Sequence, residues 1–107
     1  MHKSYDAFLL TNELYQLLAM GAITSEHKIL VKSAGSDAFA TGCGCAQDDN
    51  VFNINVEAGE EPITVTEILV SLEEADMDTP VLVYSNESGH MIQAGYLTVK
   101  EDAIELY

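Results

Sequence analysis

Cys43 and Cys45, one residue apart around Gly44, come nearest to a chemical motif in this chain. A thiol pair can hold half of a metal site, with His90 and an aspartate completing it. Structural zinc sites use ligand pairs two to four residues apart and need four ligands. The chain offers a single pair at tighter spacing, so we expect no metal. A disulfide across so short a loop is strained. Free cysteine is among the most buried residue types, and two small side chains turned inward from a Gly-rich strand account for the segment.

The other reactive residues are scattered. His2, His27 and His90 stand far apart. A relay would need Ser85, Ser88 or Cys43 beside His90, with Glu87 or Asp37 behind it. No Gly-x-Ser-x-Gly elbow is present. Glu60-Glu61 and Glu73-Glu74 sit in turns, where neighbouring carboxylates face water rather than each other. Asp48-Asp49-Asn50 is a fragment of a calcium loop without its spacing or its closing Glu. Gly42 and Gly44 have no basic residue beside them to hold a phosphate. The helix starts at Thr11 and Thr64 are the remaining candidates for an anion. The expectation is a non-enzymatic protein without a cofactor.

Charge is the strongest signal. The 107 residues carry 18 Asp and Glu against 4 Lys, with no Arg, for a net charge of -14 and a pI near 4.1. Between Lys32 and Lys100 there are 12 acidic residues and no basic one. Such a field repels nucleic acid and anionic membranes and attracts basic surfaces. It also exceeds the net charge of about 2–8 that suffices for solubility in a small domain. Glu57, Glu60, Glu61, Glu67, Glu73, Glu74, Asp76 and Asp78 form the candidate partner-binding surface, with no basic neighbour among them. Carboxylates accept the guanidinium fork as phosphates do, so such a surface can mimic DNA before an Arg-rich groove.

Composition supports one domain over residues 1–107, with 48% apolar residues spread along it. The order of elements reads twice, over 5–57 and 62–107. Thr11–Leu18 parallels Thr66–Leu72, with Glu13 against Glu67 and Leu18 against Leu72, and Lys28–Ser33 parallels Pro80–Ser85. Phe39–Gly42 parallels Ile92–Gly95, and Asn50–Ile54 parallels Asp102–Leu106, all at offsets of 52 to 54 residues. Each half predicts helix, strand, strand, strand. Thr11 caps a helix to about Met20, with Leu14, Leu17 and Leu18 inward and Gly21 as its stop. Thr64 and Glu67 have capping-box spacing before Ile68, Leu69 and Leu72. Asp78-Thr79-Pro80 breaks that second helix. Val51–Val56 alternates Phe52, Ile54 and Val56 against Asn53 and Asn55. Turns are expected at Ala34–Asp37, Gln47–Asn50 and Ser85–Gly89, with strands over His90–Val99 and Ala103–Tyr107. The predicted class is α+β, an antiparallel sheet with the helices on one face.

The segments Thr64–Leu72 and Asp78–Gly89 resemble a group of small phage and prophage accessory proteins. The shared features are a helix opening on Thr-Val, an Asp-x-x-Val-x-Val strand start and a turn ending in Gly. The resemblance covers mainly residues 63–107 and implies origin in a phage or mobile element, with no catalytic residues to transfer.

The expected function is therefore an acidic interaction protein of phage or mobile-element origin. It would inhibit a host nucleic-acid-handling or defence complex, of anti-CRISPR or anti-restriction type, by occupying a basic surface. The residues at the start lack a signal peptide's features and no stretch suits a membrane helix, so the expected place is the host cytoplasm. Two alternatives stand beside it. One is a self-assembling phage accessory protein, a homodimer joined through edge strands at Val81–Tyr84 or Ala103–Tyr107. The other is a small-molecule module using a cleft between the halves, with Ser85, Asn86 and His90 as polar contributors.

Overall fold

The computed structural model describes residues 4–6 (backbone alone), 9–33, 38–48, 50–57, 61–73, 80–87 and 89–107. Among these, two helices and eight strands follow the order β1 Ser4–Asp6, α1 Leu10–Ala19, β2 Lys28–Lys32, β3 Phe39–Asp48, β4 Val51–Val56, α2 Val65–Ser71, β5 Leu82–Glu87, β6 His90–Ala94, β7 Tyr96–Val99 and β8 Ala103–Leu106. The α+β class holds.

Helix α1 forms because Leu10, Leu14 and Leu17 recur at helical spacing and bury one face. Each side chain contributes roughly 1.5–3 kcal/mol when fully removed from water. Gly21 ends the helix at φ +76: its N–H donates to the Leu18 carbonyl at 3.1 Å, and that of Ala22 to Leu17 at 3.0 Å. This is a Schellman motif, which requires the left-handed conformation glycine adopts freely. The start differs from the sequence reading. Leu9 holds the N-cap position and Thr11 is buried in the first turn, so Thr11 does not cap.

Helix α2 buries Val65 and Ile68, with Leu72 at its C-cap, and starts at Thr64 as expected. The capping box does not form, because Thr64 makes no side-chain cap bond. Carbonyls from the turn that precedes β2 take that place. The Val65 N–H donates to His27 at 3.0 Å and the Thr66 N–H to Ser25 at 3.1 Å; the Thr66 hydroxyl also donates to the Ser25 carbonyl at 2.9 Å. The first two N–H donors that an anion would need at this helix start are thus engaged.

The strands pair in the order β1-β7-β8-β2-β3-β4-β5-β6. The sheet is mixed, which corrects the antiparallel expectation: β4 runs parallel to β5, and β2 parallel to β8. The reason for the first is the crossover through α2, which returns the chain in its original direction. The expected edge strands lie inside the sheet. Val81 is buried just before β5, which runs between β4 and β6, and β8 lies between β7 and β2. The expected strand over 90–99 is divided at Gly95. Its two parts, β6 and β7, pair with opposite ends of the order although one residue separates them in the chain. The chain through Gly95 thus links the two sides of the order without a strand pairing between them. Strand β3 makes the same passage: residues 39–41 pair with β2, residues 42–48 with β4, and the register shifts between Gly42 and Gly44.

Leu30 pairs with Thr41 and Tyr84 with Gln93. Cys45 pairs with Ile54 and Leu97 with Leu106. Phe52 pairs with Val83 and Ile104 with Ile29. One apolar cluster draws on both helices and on β2, β4, β5, β6, β7 and β8. Strand β2 buries Ile29 and Val31 while Lys28 and Lys32 face solvent, so one side of the sheet meets the core.

Candidate functional site

Four of the eight acidic residues fall among the described positions, and all four are exposed. Glu57 follows β4, Glu61 precedes α2, Glu67 lies in the first turn of α2, and Glu73 follows its last turn. Glu60, Glu74, Asp76 and Asp78 lie outside the described residues. The inward side of α2 is taken by Val65, Ile68 and Leu72, so helical spacing directs Thr66, Glu67 and Val70 outward. Val70, three residues after Glu67 on that outward side, is 62% exposed. Sequence reasoning passed over Val70, although its place four residues after Thr66 was the available signal. The surface on α2 therefore combines carboxylates with an apolar contact.

The cysteines have separate surroundings. Cys43 lies in the register shift of β3, its thiol 3.4 Å from the Asn55 carbonyl. Cys45 is half-buried under α2, with Sγ 3.2 Å from Ser71 Oγ and 3.8 Å from the Glu67 carbonyl. Burial pushes the Cys45 thiol above its usual pKa; the Ser71 hydrogen bond opposes that shift and the Glu67 carboxylate adds to it. A thiol so placed stays protonated and is a poor nucleophile near neutral pH. Both cysteines are free. Among the described residues, no group of three or more His, Cys, Asp and Glu is arranged to hold a metal ion.

The residues considered for a relay are drawn apart. Ser85 is buried, with its hydroxyl 3.5 Å from the Ile92 carbonyl, whereas His90 is exposed. Glu87 receives the Ser33 hydroxyl. Ser88 and Asp37 lie outside the described residues. His27 has a structural post: its Nδ1 accepts from the Thr24 N–H at 3.0 Å and its Nε2 lies 3.2 Å from the Lys100 carbonyl. An amide only donates and a carbonyl only accepts, so the ring carries its proton on Nε2.

A second surface lies on the outer side of the sheet. Tyr107 meets Phe39 edge-on at 6.5 Å and Tyr96 at 5.8 Å between ring centroids. Lys28 and Lys32 emerge from the same side of β2, and Lys100 lies 3.7 Å from Glu105. No helix among the described residues is long and apolar enough to cross a membrane. Comparison with protein-family models, with curated proteins and with solved structures returned no match.

Proposed function

We propose that this chain is a non-enzymatic, acidic interaction protein of phage or mobile-element origin that acts in the host cytoplasm by occupying the basic surface of a nucleic-acid-handling or defence protein. The observation that carries the reading is the exposure of Glu57, Glu61, Glu67 and Glu73 on α2 and its flanks, with Val70 on the same outward side of the helix as Glu67. Glu67 and Glu73 supply charge for Arg and Lys, and Val70 supplies an apolar contact that free phosphate mimicry lacks. Encounter with a basic groove would be fast and salt-sensitive. The order of elements, α1 followed by three strands and α2 followed by a further run of strands, supports descent by duplication of one helix-strand-strand-strand unit.

The test is capture of partners from a host lysate at low and high salt, with mass spectrometry of what elutes. A basic nucleic-acid-handling protein, retained at low salt and released at high salt, is the expected result. It should be lost when Glu61, Glu67 and Glu73 are each changed to Lys. Retention of that partner by the triple variant would sink the reading.

A further inference from the structure

The two ends of the strand order differ. At one end β1 is three residues long and includes Asp6, a short charged edge of the kind that discourages strand addition. At the other end β6, His90–Ala94, has β5 on one side and no strand on the other among the described residues. None of the usual protections is present in its sequence His-Met-Ile-Gln-Ala, which has no Lys, no Pro and no acid. The uncharged run is longer than the strand, since no charged residue lies between Glu87 and Lys100. Met91 on β6 is 57% exposed and Tyr96, just beyond the Gly95 break, is 56% exposed. Backbone donors and acceptors at an open edge together with exposed apolar side chains are the components of strand-to-strand association.

We propose that β6 is a self-association edge, which pairs antiparallel with β6 of a second copy about a two-fold axis near Ile92. Charge selects the occupant. Two chains of -14 repel each other wherever carboxylates face one another. They meet at least cost along the run that carries none. An antiparallel pair centred on Ile92 sets Met91 of one copy opposite Gln93 of the other, and the interface is self-complementary as a two-fold requires. A basic partner would instead be drawn to the acids of α2, so the two surfaces are separate and respond oppositely to salt. Salt weakens capture of a basic partner. It strengthens contact between like-charged copies by shortening the screening length from about 20–30 Å at low salt to about 3–5 Å near molar salt.

The experiment is sedimentation equilibrium of the full chain in low salt and in about 0.5 M NaCl, a range over which exposed charges become largely screened. The expected result is a mass that rises with salt from 11.6 kDa toward twice that value. Met91→Glu with Gln93→Glu sets like charges across the pair and should weaken association at least about tenfold. A control of equal charge, Gln16→Glu with Ala19→Glu on exposed positions of α1, should associate as the parent does. Thermal melts show whether each variant is folded; if the double variant is not, Gln93→Glu alone gives the same reading. A monomer at both salts overturns the proposal. So does undiminished association of the folded β6 variant, whatever the outcome of the lysate capture.

Discussion

The Ser33 hydroxyl lies 2.9 Å from both carboxylate oxygens of Glu87 and donates to that group. Ser33 follows the last residue of β2 and Glu87 closes β5. The bond thus joins the ends of two strands that are not neighbours in the sheet. A hydrogen bond to a charged acceptor contributes about 1.5–3 kcal/mol when shielded and less when part-exposed. Ser33→Ala should therefore lower stability by about 1 kcal/mol in urea unfolding, whereas Ser33→Thr, which keeps the hydroxyl, should recover most of it.

Gly42 and Gly95 sit at the bends of the two long strands and should respond in opposite ways to a methyl group. A Cβ on Gly42 would come 2.9 Å from Ile54 Cγ2 and 3.3 Å from the Ile29 carbonyl. One on Gly95 would meet nothing within 4 Å. Overpacking a core costs about 1–3 kcal/mol. Gly42→Ala should lower stability by that amount and Gly95→Ala should fall within about 0.5 kcal/mol of the parent, as surface changes do.

His27 joins the Thr24 turn to the residue that precedes the last hairpin turn, through one acceptor and one donor on its ring. Its backbone carbonyl also receives the first N–H of α2. Removal of the ring leaves the Thr24 amide and the Lys100 carbonyl without these partners, at about 1–3 kcal/mol for each group that water cannot reach. His27→Ala should lower the melting temperature and raise hydrogen exchange at Thr24, with far-UV circular dichroism little changed at low temperature.

The raised pKa of Cys45 has a defined signature. In a Cys43→Ser background, alkylation at Cys45 should be slower than in the unfolded chain at pH 8, and its rate should still climb beyond the ordinary thiol value of 9.0. The folded state holds the proton to higher pH than the unfolded state does. This contribution to stability is therefore complete below pH 9 and is lost as pH rises through the folded pKa. Glu67→Gln removes a charge that raises the value and should speed alkylation at fixed pH. A rate that levels off at or below pH 9 would contradict the assignment.

Much of the fold was legible because alternation and helical spacing are local. Phe52 and Ile54 are buried between exposed or half-buried neighbours, and Leu14 and Leu17 mark one helix face. The stop at Gly21 was legible for the same reason. Strand direction was not, because parallel pairing of β2 with β8 depends on residues far apart in sequence. The Thr64 capping box failed because a tertiary partner, the Ser25–His27 turn, reaches the same amides. Of the candidate surface, sequence supplied the acids, since charge is read directly from residue type. Val70 and the open edge at β6 required knowledge of what does not cover them.

The parallel pairing of β2 with β8 also orders events during synthesis. Ile29 and Ile104 are neighbours in the sheet, yet they stand at opposite ends of the chain. Until residues 103–106 have been made, one side of β2 and the facing side of β7 lack the strand that fills the space between them. Residues 28–56 can collapse early, but the join of β2 to β7 must wait for β8, and contacts of such high sequence separation slow folding. A ribosome-bound chain lacking β8 would expose two matching strand edges, and these are where a chaperone or a second nascent chain would first engage.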